Sequence, residues 1–110
     1  IQHIPAFLHQ VKRLMPTCGV LINNASIFER ATFMETDEAL FDRQMEINFK
    51  APFFMTQHFA RLFPKACVIN MLDSDITTTH GSHFAYLLAK KSLAAFTEMA
   101  ARELGPNIRV

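Results

Sequence analysis

The chain has 110 residues, half of them hydrophobic and 19% charged, with 11 basic residues against 10 acidic ones and a formal net charge of +1. That suits one globular domain with a real core, and the evenly spread charges give no electrostatic footprint for nucleic acid. No apolar run is long enough to span a bilayer, and the glycines, Gly19, Gly81 and Gly105, lie too far apart to cradle a phosphate.

Residues Ile4, Phe7, Leu8, Val11 and Leu14 recur at helical spacing, and Pro16 closes that segment. Gly19-Val20-Leu21-Ile22 is a short apolar run ending in Asn23-Asn24-Ala25-Ser26; without polar alternation it reads as a strand buried on both faces. Thr36, followed by Asp37 and Glu38, is a candidate N-cap for a helix running to about Leu62. Residues 66–72 form a second doubly buried strand, and a polar stretch, Asp73 to Ser82, leads to a third helix from about His83 to Leu104. Gly105-Pro106 ends that helix, and Ile108-Arg109-Val110 starts another strand. Alternating strands and helices imply a parallel sheet, with ligands bound beyond the carboxyl ends of its strands, here Asn23 to Ser26 and Asn70 to Ser74.

Both termini read as cut, so residues 1–110 are taken as a fragment of one larger domain. Cys18 and Cys67 are too few for a disulfide scaffold and read as reduced core thiols of a cytoplasmic protein. No charged-then-apolar leader opens the chain. His80 and His83 are three apart, but no further ligands accompany them, so no metal site is expected.

Tyr86 and Lys90 stand four apart on the third helix, on one side and within reach of a common ligand. A free phenol, with a pKa of about 10, is a poor proton shuttle near neutrality. A nearby ammonium favours the phenolate and would bring that pKa down. Alone, the pair also fits surface decoration. Three companions point to a site: Asn23 to Ser26 after a buried strand, Asn48 inside the long helix, and Asp73 at the end of the second strand. Pro52, four residues after Asn48, has no N–H to donate, so the Asn48 carbonyl loses its usual helical partner and could hold a water.

In this order and spacing the residues resemble the short-chain dehydrogenase/reductase family, whose central and later parts read strand–NNAG, a helix-borne Asn, strand–Ser, then YxxxK. The resemblance implies a Rossmann-type, doubly wound, three-layer α/β fold with a parallel sheet, of which this chain is the central to C-terminal portion. The family's glycine-rich phosphate loop and its substrate-closing segment fall outside it, so the isolated chain is expected to bind NADPH poorly and to be inactive. By the same resemblance Tyr86 is the catalytic acid, Lys90 holds the nicotinamide ribose and lowers the tyrosine pKa, and Asn48 anchors a water in the proton relay. Asn24 and Ala25 lie where the family's strand end meets the cofactor. The long and third helices resemble those that pack between subunits, which implies a homotetramer.

Two departures narrow the resemblance. Asp73 stands where most members carry a serine, and Ser26 replaces the motif's last glycine. Ser74 would reach the serine's place only through a one-residue slip that reverses its direction from a strand. With Phe28, the patterns Asn24-Ala25-Ser26-Ile27-Phe28 and Asn70-Met71-Leu72-Asp73 resemble the pteridine reductase branch. That implies an NADPH-dependent reductase of a dihydropterin or dihydrofolate-like ring, with Phe28 stacked on the pterin and Ser26 against cofactor phosphate or pterin. Phe28 as core packing is the plainer reading. A family member acting on a carbonyl or alcohol, and a non-catalytic fragment, are the alternatives.

Overall fold

The computed structural model describes residues 1–110. Helix α1 (Ile4–Leu14) opens with Pro5 in its first turn, where no helical partner for an N–H is lost. It is followed by strand β1 (Val20–Asn23), helix α2 (Glu38–Met45), a π-helical turn (Glu46–Lys50), helix α3 (Ala51–Leu62) and strand β2 (Ala66–Asn70). A 3-10 turn (Ser74–Thr77) then leads to helix α4 (Phe84–Leu104) and strand β3 (Ile108–Arg109).

The N-cap of α2 is Asp37, not Thr36. Asp37 has extended backbone and its carboxylate accepts from Leu40 N, while the Thr36 hydroxyl turns back to donate to the Thr32 carbonyl at 2.7 Å. The helix expected to run unbroken to Leu62 instead widens at Glu46–Lys50, where Ala51 N donates to Glu46 O, five residues back. The widening sits just before Pro52, whose missing N–H breaks the regular four-residue ladder. At the end of α4, Gly105 has an ordinary φ of −69°, so no left-handed cap requires glycine there. A close approach does: a Cβ on Gly105 would meet the Ala101 carbonyl oxygen at 2.9 Å. Gly81, in the loop before α4, has φ +142°, which side-chain-bearing residues rarely adopt.

The three strands are parallel in the order β1-β2-β3, with Val20 opposite Cys67 and Cys67 opposite Arg109. Because the order runs one way, two right-handed crossovers place α3 and α4 on the same face of the sheet. The core forms there, from Leu8 of α1, Phe59 and Phe63 at the end of α3, Val68 of β2 and Ile108 of β3. Phe59 and Phe63 stack with centroids 4.6 Å apart. Burying each such side chain contributes about 1.5–3 kcal/mol.

The strands alternate rather than being buried on both sides. Val20, Ile22 and Ile69 point to the other face and remain 52%, 56% and 42% exposed. These residues thus supply the sheet and one helical layer of the α/β architecture.

Candidate active site

The carboxyl ends of β1 and β2 are joined by a polar ladder before the site begins. Asn23 Nδ2 donates to Asn70 Oδ1 at 2.8 Å and to Thr56 Oγ1 at 3.2 Å, and Asn70 Nδ2 donates to Thr97 Oγ1 at 2.9 Å. One residue from each of β1, α3, β2 and α4 is thereby satisfied, and the strand ends are held in register where the functional loops leave them. Asn24 and Ala25 are exposed at the point where the chain leaves β1.

Asn48 lies in the π-turn and is fully buried. Its Oδ1 accepts from Ser26 Oγ at 2.7 Å and from Ile27 N at 3.0 Å. Its Nδ2 donates to the Ile27 carbonyl at 3.0 Å and to Gln44 Oε1 at 2.7 Å. The side chain therefore clamps the loop after β1 as two strands would clamp each other, using both amide ends. Buried polar groups need such partners, and Asn48 has a full set.

Tyr86 and Asp73 meet directly: the phenol donates to Asp73 Oδ2 at 2.6 Å. Asp73 also caps the 3-10 turn, accepting from Asp75 N at 2.9 Å. The Tyr86 hydroxyl bond and the Asp75 amide hold the Asp73 carboxyl below its ordinary range. Tyr86 moves the other way, pushed up to about 12, first by burial and then by the Asp73 carboxylate, against a smaller downward pull from the Ser26 hydroxyl. This reverses the expectation that Lys90 brings the phenol down. Lys90 is 3% exposed, its Nζ donates to the Met71 carbonyl at 2.8 Å, and it lies 5.8 Å from the centre of the Tyr86 ring. Burial lowers the pKa of that ammonium. Burial sets the direction and the carboxylate, in contact with the phenol as the ammonium is not, reinforces it.

Phe28 sits beside this pair. Its ring meets Tyr86 at 77° with centroids 4.6 Å apart, and it is 62% exposed, so it is not a core residue. The His83 ring lies parallel to it, with centroids 3.8 Å apart and an interplanar angle of 6°. Phe28, Asp73, His83 and Tyr86 line one open cavity of about 280 Å³, together with the loop 78–82 and Lys91 of α4. Lys91 Nζ ties that loop to the helix by donating to the Thr78 carbonyl.

The chain thus brings Tyr86, Asp73 and Phe28 to one cavity; Ser26, Lys90 and Asn48 do not line it. Sequence reasoning placed no weight on Gln44 or on the Asn23–Asn70 ladder. The signal for Gln44 was present: it lies one helical turn before Asn48, on the same side. The ladder joins residues 47 apart in the chain and leaves no local trace.

The buried Lys90 ammonium bears on a nicotinamide cofactor. It carries three N–H donors, of which the Met71 carbonyl takes one, and a buried ammonium requires further acceptors. Ribose hydroxyls beside Tyr86 would supply them, so the donor set suits the group.

The family model described as enoyl-(acyl carrier protein) reductase matches residues 2–110. Over 99% of its length the chain is 26% identical to an NAD-dependent glycerol dehydrogenase of Listeria innocua, covering 44% of that protein. The solved structure of an alternative dihydrofolate reductase (FolM) from Brucella canis complexed with NADP superposes with a TM-score of 0.90. It is 27% identical, over 97% of this chain and 45% of that one. A 4-hydroxyisoleucine dehydrogenase complexed with NADH and succinate gives a TM-score of 0.89 at 25% identity, over 99% of this chain and 54% of that one. The chain therefore spans about half the length of the proteins it matches. With the ordered strand-end, helix-borne Asn and Tyr-Lys residues above, the chain belongs to the short-chain dehydrogenase/reductase family.

Proposed function

We propose that the complete protein is an NADPH-dependent reductase of a pterin-type ring, a dihydropterin or dihydrofolate-like substrate. The observation that carries this is the 2.6 Å contact of Tyr86 with Asp73 beside the exposed ring of Phe28. A carboxylate at that place repels the negative charge that develops on a carbonyl oxygen during reduction. It suits a ring C=N, whose nitrogen must gain a proton as the carbon gains hydride. Asp73 can also accept from pterin N–H groups, and Phe28 offers a flat face worth about 1 kcal/mol beyond area burial.

When bound, the reduced nicotinamide supplies the hydride. The chain's own residues handle the proton and the positioning. Tyr86, pushed up to about 12, keeps its proton at neutral pH and acts as donor. Asp73 stays ionised and orients the Tyr86 hydroxyl by accepting from it at Oδ2; the proton Tyr86 gives to the ring nitrogen is replaced from solvent. Lys90 holds the ribose, and Asn24, Ala25 and Ser26 border the cofactor. Asn48 acts by fixing Ser26 and Ile27; with both ends of its amide used within the protein, a relay water would rest on its backbone carbonyl. The NADP-bound FolM structures support NADPH as the reductant.

The groove between α3 and α4, about 520 Å³ and edged by Phe53, Phe96 and Met99, supports subunit packing through these helices into a homotetramer. Both cysteines are free, in keeping with a cytoplasmic protein, and no helix is long and apolar enough to cross a membrane.

A second reading, reduction of a carbonyl or oxidation of an alcohol, draws support from relatives such as the glycerol dehydrogenase and the human L-xylulose reductase. Assaying the full-length protein with NADPH against pterins, folates and simple ketones separates the two. Asp73→Ser should lose pterin reduction preferentially; an unchanged substrate profile would refute the pterin reading.

A further inference from the structure

The first residue before α4 is a poor place for a histidine. Ser, Thr, Asp and Asn are preferred there because a short side chain can accept from the first free N–H groups. His83 occupies that N-cap and its side chain makes no capping bond. The imidazole instead lies flat on Phe28, 3.8 Å away and within 6° of parallel. A local rule broken at the rim of a cavity points to a use beyond the helix itself.

The backbone fixes this stack from both sides. Ala31 and His83 form an isolated parallel bridge, in which Ala31 N donates to Ser82 O at 2.7 Å and Phe84 N donates to Ala31 O at 3.0 Å. The loop carrying Phe28 and the start of the helix carrying Tyr86 are thus bolted together three residues from each ring. Phe28 nonetheless has little else to hold it. It is 62% exposed, and its ring contacts are His83 in parallel and Tyr86 at a right angle. Without the imidazole, an exposed phenyl ring would sample several rotamers, and a ligand would have to immobilise it at a cost in affinity.

We propose that His83 is a specificity-determining positioning residue: it holds the ring plane of Phe28 so that the cavity favours flat heteroaromatic substrates. The inference rests on the pterin-type reading above for the nature of the ligand, but its test is a binding measurement independent of turnover. What His83 contributes is a planar ring; its charge and hydrogen bonding are not required.

The test titrates pterin, the bare bicyclic ring, into the full-length protein saturated with NADP⁺, following quenching of pterin fluorescence. His83→Ser should weaken pterin about threefold to tenfold, the range that one aromatic pair is worth. The melting temperature of that variant should hold or rise, because serine is the better cap. His83→Phe restores a flat ring and should restore the affinity. Unchanged pterin affinity in His83→Ser, failure of His83→Phe to rescue it, or loss of affinity only in step with a fallen melting temperature would each overturn the proposal. Wild-type protein that binds pterin in a His83-dependent way but reduces no dihydropterin would overturn the proposed function and uphold this inference. Wild-type protein that binds no pterin would overturn both.

Discussion

Replacing Asp73 with asparagine keeps the shape at Tyr86 and removes the negative charge. The phenol stands at about 12, against an ordinary value of 10, with burial the larger cause and the Asp73 carboxylate the next. Two pH units correspond to about 2.7 kcal/mol of extra cost to ionise the ring, an upper bound where water reaches the cavity and screens the carboxylate. Asparagine takes away the carboxylate's share and leaves the desolvation. The Tyr86 midpoint should therefore fall, yet stay between 10 and about 12. Tyr86 is the only tyrosine of these 110 residues and there is no tryptophan, so phenolate absorbance in the ultraviolet reports one group. Circular dichroism on the same samples restricts the reading to folded protein. A midpoint that does not move would refute the assigned coupling, and one falling below 10 would refute the dominance of burial. The same shift has a stability consequence with a fixed sign. A raised phenol pKa contributes stability that is complete below pH 10 and is lost as pH rises toward 12.

Tyr86→Phe should lower reduction by about 10²–10⁴-fold, the worth of a positioned general acid, while NADPH affinity stays nearly intact; steady-state kinetics with cofactor titration checks both. Asn48→Ala leaves Ile27 N and Gln44 without their buried partners and should cost about 2–4 kcal/mol, measured by urea denaturation. Phe59→Ala opens a hole in the shared core of α1, α3 and the sheet and should cost about 3–5 kcal/mol in the same assay. Phe28→Ala, on an exposed ring, should leave stability within about 0.5 kcal/mol yet weaken pterin binding more than NADPH binding, read by calorimetric titration of each ligand.

The elements were legible wherever one local signal ruled. Three apolar residues after Gly19, Pro16 behind α1 and the Gly105-Pro106 stop each name a boundary within a residue or two. Signals that competed were read less well. Thr36 and Asp37 are both good caps, and only the backbone angle at Asp37 chooses between them. The strands looked doubly buried because hydrophobicity alone does not say which partner covers which face; the one-way strand order leaves Val20 and Ile22 open. Tyr86 and Lys90 could be picked out by spacing, Asp73 by its place at a strand end and Phe28 through the family resemblance, but the direction of the tyrosine shift could not. That depends on burial and on a 2.6 Å contact across thirteen residues, which together outweigh a lysine one helical turn away. The His83–Phe28 stack is a meeting of two loops and has no periodicity to find.

The π-turn between α2 and α3 has a geometric consequence for how this site tolerates insertions. Buried residues recur there every fourth position: Gln44, Asn48, Pro52 and Thr56. At about 3.6 residues per turn a four-residue step overshoots by roughly 40°, so an ideal helix would carry these residues steadily around its circumference. The wider turn takes up part of that overshoot, keeping Asn48 aimed at the Ser26 loop while Thr56 still reaches the strand-end asparagines. Inserting one residue into the regular α-helical part of this segment would leave the sequence helical but put its two halves about 100° out of phase, whereas losing Glu46, Ile47, Phe49 or Lys50 would return the wider turn to regular helix with the halves nearly in phase. The insertion would lose either the loop clamp or the sheet contact, so this helix should tolerate losing a residue within the turn better than gaining one elsewhere.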